Sequence, residues 1–260
     1  MQQALFHSAR RSEGLEELEA AVQRSPGDRT TWLRLAHAYG AAGIFEPCVD
    51  LLRQVVRLAP REAAMRHALA MMLVEAEQWQ EAIDEFREAA RLEPDSGTRA
   101  FYVGVGFAES GQHEAAEEHL QKALAMDPKM GVAWIRLAWA LHAQGKFAEA
   151  VPIFERATAH RPRSASLWAG LGRCYAQVNQ HHRAAQAYRV SIGIDPTQAD
   201  VHANLSESYE KLGRLDEAVA AYAASVRLAP SELVHAMPPG TPPADPGQAE
   251  DRPPSDSALA

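Results

Sequence analysis

The chain has 260 residues, of which 47% are hydrophobic, and a formal net charge of −8, a composition typical of a globular protein. An acidic surface repels nucleic acid and anionic lipid, so neither is an expected partner. No run of about 18 apolar residues is present, and the N-terminus lacks the apolar segment of a secretory signal, so we expect a cytoplasmic protein without membrane insertion.

Proline recurs along the chain at a fixed interval of 34 residues. These prolines end apolar helical segments, because proline lacks an N–H and collides with the preceding turn of a helix. Self-similarity at a fixed period is the signature of a repeat architecture, in which each repeat buries its apolar face against the next. The prolines in register are Pro26, Pro60, Pro94, Pro128, Pro162, Pro196 and Pro230.

Residues 1–28 fit the end of this period, with Pro26 in the common register. They predict a partial repeat whose first helix is reduced to residues 1–8 and which caps the N-terminal end of the stack. Residues 29–230 predict six full repeats of two helices each. The registers of these repeats are 29–62, 63–96, 97–130, 131–164, 165–198 and 199–232.

In five of the six full repeats, the two helices are predicted to be separated by a residue that adopts a left-handed backbone conformation. Glycine and asparagine favour this conformation and commonly end helices in this way. The predicted turn residues are Gly43, Gly111, Gly145, Asn179 and Gly213.

The period ends at residue 231. Residues 231–260 contain seven prolines, five acidic residues and one arginine, with few apolar side chains. Such a segment cannot bury enough apolar surface to offset its ordering entropy, so it is predicted to be a disordered tail. Only the short segment SELVHAM is available to cover the last repeat, so we expect the apolar face of that repeat to be exposed or covered by a partner.

The same register positions carry the same kinds of side chain in successive repeats. Position 8 is small in all six repeats, positions 7, 11 and 24 are apolar or aromatic, and position 4 is Trp32, Trp134 or Trp168 in three of them. This pattern resembles the tetratricopeptide repeat family over residues 1–230. The resemblance implies an all-α fold, a right-handed superhelical solenoid of stacked antiparallel helix pairs. The second, third and sixth repeats lack the aromatic residue at position 4, which predicts weaker local packing there.

The resemblance also implies a groove, because in this family the first helix of each pair lines the concave surface. Positions 2, 5, 6, 9, 12 and 13 then face inward. In the middle repeats, positions 5, 6 and 9 are mainly apolar or aromatic, as binding patches often are. In the alternative interpretation these side chains pack against neighbouring first helices, or a tightly wound superhelix closes over them. The predicted peptide-binding residues are His67, Met71, Phe101, Tyr102, Val105, Ile135, Arg136, Trp139 and Arg173.

Two tryptophans of the fourth repeat are predicted to have different roles. Trp134 and Trp139 are five residues apart, which separates their directions by about 140° around a helix. Trp134 occupies position 4, a packing position that it shares with other tryptophans. Trp139 occupies position 9, whose residues vary from apolar to charged, so we expect its ring to contact a partner.

The sequence contains no motif of a nucleotide-binding, hydrolytic or zinc-dependent enzyme, so we expect neither catalysis nor a cofactor or metal. His113 and His181 share position 17 with residues such as Phe45, which indicates a packing role. Cys48 and Cys174 are too far apart for a metal knuckle or a disulfide framework, and a reducing compartment fits them. Arginine greatly outnumbers lysine, which indicates a GC-rich bacterial genome.

The function predicted from these features is a non-enzymatic scaffold or adaptor that binds a partner peptide or helix in the groove. Two alternatives stay open: a structural unit that self-associates end to end into homo-oligomers, and an accessory that recruits substrate for a separately encoded transferase. Two binding modes of the family do not fit. A carboxylate clamp needs Lys or Arg at position 5, which no repeat has, and an asparagine ladder at position 6 is matched by Asn204 alone.

Overall fold

The computed structural model describes residues 14–25 and 28–229, and every regular element in these residues is an α-helix. This confirms the predicted all-α class. Helix α1 covers residues 14–24. The helices that follow are α2 Arg29–Ala42, α3 Phe45–Leu58, α4 Ala63–Glu75, α5 Trp79–Leu92, α6 Gly97–Glu109, α7 His113–Met126, α8 Gly131–Ala143, α9 Phe147–His160, α10 Ala165–Gln177, α11 His181–Ile194, α12 Ala199–Lys211 and α13 Leu215–Leu228.

The first helices of the six pairs begin 34 residues apart, in step with the prolines. The exact limits of the repeats and of the N-terminal partial repeat remain predictions. The short helix predicted at residues 1–8 and the tail predicted at residues 231–260 lie outside the described residues.

The chain forms two compact units, which we call the N-terminal half (residues 1–126) and the C-terminal half (residues 127–260). Within each half, a second helix packs against the first helix of its own pair and against the first helix of the next pair. In the N-terminal half this order runs from α2 to α7, and in the C-terminal half from α8 to α13. At the start of the stack, Val22 of α1 shares a buried cluster with Trp32 and Leu35 of α2.

Small residues at position 8 allow the two helices of a pair to approach closely. A Cβ atom added at Gly104 would lie 2.8 Å from Leu120 Cγ, and one added at Gly172 would lie 2.5 Å from the ring of Tyr188. In both pairs the glycine is at position 8 and its neighbour is at position 24. The size of the residue at position 8 therefore sets how closely the two helices of a pair approach.

Position 4 carries a hydrogen bond that spans the junction between repeats. Trp134 Nε1 donates to the carbonyl of Pro128, and the same bond in the next repeat also measures 2.9 Å. Where the aromatic residue is missing, Arg66 Nε donates to the carbonyl of Pro60 at 2.9 Å. His202 Nε2 lies 3.2 Å from the carbonyl of Pro196 in the sixth repeat. Where a polar side chain replaces the aromatic residue at position 4, the contact with the proline carbonyl is kept.

The turn between paired helices adopts a left-handed backbone at all five predicted residues, with φ between 59° and 77°. This confirms the predicted turns. The second repeat has the same conformation at Glu77, with φ of 58°. Sequence reasoning missed this residue because glutamate has no preference for left-handed backbone. Its Cβ makes the conformation costly by about 1 kcal/mol or more.

Replacing Glu77 with glycine is expected to stabilise the fold by about 0.5–1 kcal/mol. Glycine removes the left-handed penalty but loses more backbone entropy on folding, so the gain is partial. The measurement is the midpoint of urea unfolding.

Gly111→Ala is the matched control for this change. It lies at the equivalent turn with φ of 77°, and a Cβ there would meet no atom within 4 Å. The Gly111→Ala change should therefore lower the free energy of unfolding by about 1 kcal/mol through backbone strain alone. An unchanged or lower midpoint for Glu77→Gly would show that this turn carries no conformational penalty.

Candidate peptide-binding faces

Register position 9 is accessible to solvent in every full repeat. Its residues are exposed or half-buried, whereas the neighbouring position 8 is buried throughout. The position therefore follows one accessible face of the first helices in each half. The residues at position 9 are His37, Met71, Val105, Trp139, Arg173 and Glu207.

In the C-terminal half, Trp139 of α8 is half-buried. Its ring meets that of Phe154 nearly at right angles, with centroids 5.1 Å apart, and lies 5.6 Å from the ring of His142. Such edge-to-face pairs are a favourable aromatic geometry. One side of the indole is thus held by its neighbours, while part of it remains accessible.

Gly170 of α10 provides the space for this ring. A Cβ at Gly170 would lie 3.0 Å from Cη2 of Trp139 and 2.7 Å from Cε1 of Phe154. Any larger residue would have to displace one of these rings. Trp139 therefore packs closely on the backbone of the next first helix.

Arg173, one turn further along α10, extends the face. Its guanidinium lies 5.7 Å from the centroid of the Trp139 ring, and its Nη1 lies 3.8 Å from Oδ2 of Asp200 on α12. Its Nε is buried and has no hydrogen-bond partner among the described residues. This guanidinium therefore joins the aromatic part of the face on α8 to an acidic part on α12.

The acidic part of the face consists of Asp200, Glu207 and Glu210, all on α12. Glu207 and Glu210 are exposed. Position 9 thus changes from an aromatic residue to a cation and then to an acid over three consecutive repeats.

His142 lies beside Trp139 and is largely buried. Burial, and secondly the charge of Arg173, lowers the pKa of His142 from 6.5 to about 4. The imidazole is therefore neutral at physiological pH and packs as an aromatic ring, 5.4 Å from Phe147.

In the N-terminal half, a cluster of rings joins α4, α5 and α6. His67 lies 4.2 Å from Tyr102 and 5.5 Å from Phe86, measured between ring centroids. Tyr102 also contacts Phe101 at 5.1 Å. Burial, with a smaller contribution from Arg99, lowers the pKa of His67 to about 4. Nδ1 of His67 is buried and lacks a hydrogen-bond partner among the described residues.

The nine predicted binding residues differ in how much of each side chain solvent can reach. Phe101 and Ile135 at position 5 are buried, with 5% and 1% of their surface exposed, so they contribute packing within their own halves. The structure brings His67 and Tyr102 together in one half, and Trp139 and Arg173 in the other. The half-buried residues are His67, Met71, Tyr102, Val105, Arg136, Trp139 and Arg173.

Sequence reasoning placed His142 at the inward-facing position 12 but did not include it or Gly170 among the predicted binding residues. His142 follows Trp139 by three residues, a spacing that places both side chains on one side of a helix. Gly170 is the only glycine at position 6 of the six registers. Its close contact with a ring could not be read from the sequence because that contact depends on the packing of separate helices.

The cysteines and metal-binding side chains of the described residues offer no reactive cluster. Cys48 and Cys174 are free and buried, and burial raises the pKa of each thiol, to about 11 and about 12. Sγ of Cys48 donates to the carbonyl of Ala36 at 3.0 Å. Residues 14–25 and 28–229 hold no group of three or more histidine, cysteine or acidic side chains placed to bind a metal. None of the helices within these ranges is long and apolar enough to cross a membrane.

Family models described as tetratricopeptide repeat match residues 107–174, 141–189 and 199–232. Residues 107–189 and 199–232 therefore carry tetratricopeptide repeats. The matched segments include the repeats that contain Trp139 and Arg173. No curated protein matches the chain.

Solved tetratricopeptide-repeat structures resemble this one. MamA from Desulfovibrio magneticus RS-1 is 20% identical with a TM-score of 0.61, and the match covers 64% of this chain and 94% of that one. YrrB, described as a TPR protein with an unusual peptide-binding site, is 20% identical with a TM-score of 0.60, covering 72% and 96%. At these identities the likeness shows the fold alone.

Proposed function

We propose that the protein is a scaffold that binds a segment of a partner protein on the first-helix face of its C-terminal half. Tetratricopeptide repeats are typically protein-interaction modules. The proposal is also supported by the solved structure of YrrB, whose description gives that protein a peptide-binding site.

The observation that carries the proposal is the pairing of Trp139 with Arg173. Tryptophan and arginine are the side chains most enriched at the energetic centres of interfaces. Here the guanidinium lies 5.7 Å from the indole ring on an accessible face, and its buried Nε has no hydrogen-bond partner among the described residues. A buried donor without a partner is costly, and a rotation of the guanidinium toward a ligand carbonyl would remove that cost.

The order of side chains on this face favours a particular kind of segment. An apolar or aromatic anchor fits beside Trp139, and a backbone or side-chain oxygen fits near Arg173. Glu207 and Glu210 are exposed beyond it, and they favour a basic residue at the other end of the segment. We therefore propose a short segment with an apolar anchor followed by lysine or arginine.

The accessible side chains on the first helices of the N-terminal half form a second proposed contact surface. These are His67, Met71, Tyr102 and Val105. They are apolar or aromatic, and the imidazole of His67 is neutral at pH 7 because burial lowers its pKa to about 4. This surface would accept apolar side chains of a partner.

A peptide library tests the proposed segment. Random twelve-residue peptides displayed on phage are selected against the full chain, and enriched peptides are measured by fluorescence anisotropy. We expect an apolar anchor with a downstream basic residue, and dissociation constants that rise with salt. Replacing Glu207 and Glu210 with alanine should weaken binding by about five- to tenfold, because each is an exposed charge at the rim.

Glu149→Ala is the matched control, since Glu149 is exposed on the second helix α9. It should leave the affinity unchanged. Peptides without a basic residue, or equal affinities for the acidic-face and control variants, would refute the proposed segment. A photo-crosslinker at position 139 should also capture the peptide, whereas one at position 149 should not.

A further inference from the structure

Helix α13 exposes a continuous apolar stripe. Leu215, Val219, Tyr222 and Val226 have 64%, 69%, 55% and 45% of their surface exposed. Their spacing of four, three and four residues places them on one side of the helix. Isolated exposed apolar residues are common, but four aligned ones mark an interaction surface.

The equivalent side of the preceding second helix is covered. Ala185 and Tyr188 of α11 lie 34 residues before Val219 and Tyr222, and they are 3% and 1% exposed. In that repeat the next first helix, α12, packs against α11. The α13 stripe is therefore a surface shaped to receive another helix.

The residues that follow α13 do not supply such a helix in the repeat register. A next first helix would begin at residue 233 and would place its core positions 7 and 11 at Pro239 and Pro243. Proline in the interior of a helix removes a hydrogen bond and collides with the preceding turn. A second copy of the chain can supply such a helix.

We propose that the stripe binds the same stripe of a second copy of this chain, with the two α13 helices antiparallel. The charges beside the stripe favour this partner. Asp216 in the first turn and Arg227 in the last turn are exposed and lie about 20° apart around the helix. Around a two-fold axis, each Asp216 meets Arg227 of the second copy, which gives two ion pairs. Parallel packing would place these residues on opposite flanks of the contact, where neither ion pair forms.

Two further features suit a helix–helix contact. Ala223 is exposed beside the stripe near the middle of α13, and its small side chain allows the helix axes to approach. Tyr222, near the centre of the stripe, is a residue type enriched at interface hot spots. The interaction is self-complementary, so it closes at a dimer and does not propagate end to end. It is independent of the peptide-binding face, since it uses the second helix of the last repeat.

Sedimentation of the full chain over a concentration series tests the proposal. We expect a monomer–dimer equilibrium, in the micromolar range because the surface is small. Val219→Arg should abolish the dimer without altering helix content, since the side chain is exposed. A chain that remains monomeric at all concentrations, or one that forms progressively larger species, overturns the proposal.

Exchanging the charges of Asp216 and Arg227 tests the antiparallel arrangement. Asp216→Arg and Arg227→Asp should each raise the dimer dissociation constant by about tenfold, because each brings like charges together. An equimolar mixture of the two single variants should dimerise as well as the original chain, since both ion pairs form again in the mixed dimer. The chain carrying both changes should also dimerise. Failure of the mixture to recover would show that these residues do not meet.

Glu149→Arg is the control for the change in net charge, because Glu149 is exposed on α9. It should leave the dissociation constant unchanged. A loss of dimer equal to that of Asp216→Arg would show that the effect does not depend on where the charge is changed and would overturn the antiparallel contact.

Discussion

Lowering the pH from 7 to 5 is expected to destabilise the protein by on the order of 2 kcal/mol for each of two histidines, His67 and His142. Burial is the main reason that the pKa of each imidazole falls from 6.5 to about 4, and Arg99 or Arg173 adds a smaller effect. The unfolded chain binds a proton at each histidine below about pH 6.5. The folded protein binds one only near pH 4.

The sign of this effect follows from the difference in bound protons. Between pH 6.5 and 4 the unfolded state holds more protons, so the free energy of unfolding decreases as the pH falls through this window. The contribution of the two neutral histidines to the free energy of unfolding is fully present above pH 6.5. Since the two histidines belong to different halves of the chain, their contributions should be nearly additive.

Replacing these histidines with phenylalanine isolates the effect. Phenylalanine keeps a ring beside Tyr102 in one half and beside Phe147 in the other, and it cannot be protonated. His67→Phe and His142→Phe should each reduce the difference in urea midpoint between pH 7 and pH 5. His37→Gln, at an exposed position, should not. An acid sensitivity that both phenylalanine variants retain in full would assign it to the carboxylates instead.

Trp139→Ala is expected to lower the free energy of unfolding by about 2–3 kcal/mol. The ring is half-buried, so the loss should be less than that for a fully buried tryptophan. The edge-to-face contact with Phe154 at 5.1 Å is lost. A cavity forms above Gly170, whose missing side chain cannot fill it. Trp139→Phe should lower the free energy of unfolding by less, because a ring can still contact Phe154.

A double-mutant cycle with Gly170 measures this packing. Gly170→Ala alone should be destabilising, since its Cβ would lie 3.0 Å from Trp139 and 2.7 Å from Phe154. In the Trp139→Ala background the same change should cost less, because the Phe154 ring can move into the vacated space. Strict additivity of the two changes in urea unfolding would show that the two residues do not compete for this space.

This packing changes how binding data on Trp139 should be interpreted. A loss of partner binding in Trp139→Ala would mix the loss of a contact with the loosening of α8 against α10. Glu207 and Glu210 are exposed, so their replacement tests the face without this complication. Trp139→Phe adds a second test, in which the packing is largely kept and the indole is removed.

Much of the fold could be predicted because it repeats at a fixed interval. The helix class, the turn residues and the small residues at position 8 depend on local chemistry that recurs in each repeat. Glu77 escaped prediction because its left-handed conformation is imposed by the flanking helices, against the preference of its own side chain.

The accessible faces were harder to predict than the fold. Register position gives the direction of a side chain around its helix, so Trp139 and Arg173 could be placed on one side. It does not give the distance to the next first helix. That distance buries Phe101 and Ile135 and brings Gly170 against a ring, so the difference between a groove residue and a packing residue lies in tertiary contacts.

The hydrogen bond from position 4 to the preceding proline carbonyl makes the contact between successive repeats less sensitive to salt than an ion pair would be. The side chains of Arg66 and Trp134 donate hydrogen bonds to the backbone carbonyls of Pro60 and Pro128 in the preceding repeat. Ala100 cannot form this bond, and the junction before it is spanned by Arg99 Nε and Glu93 Oε2 at 2.9 Å. Salt weakens such a surface ion pair but scarcely affects a bond to a carbonyl. Added salt should therefore weaken the contact between Arg99 and Glu93 more than the bonds to the carbonyls of Pro60 and Pro128.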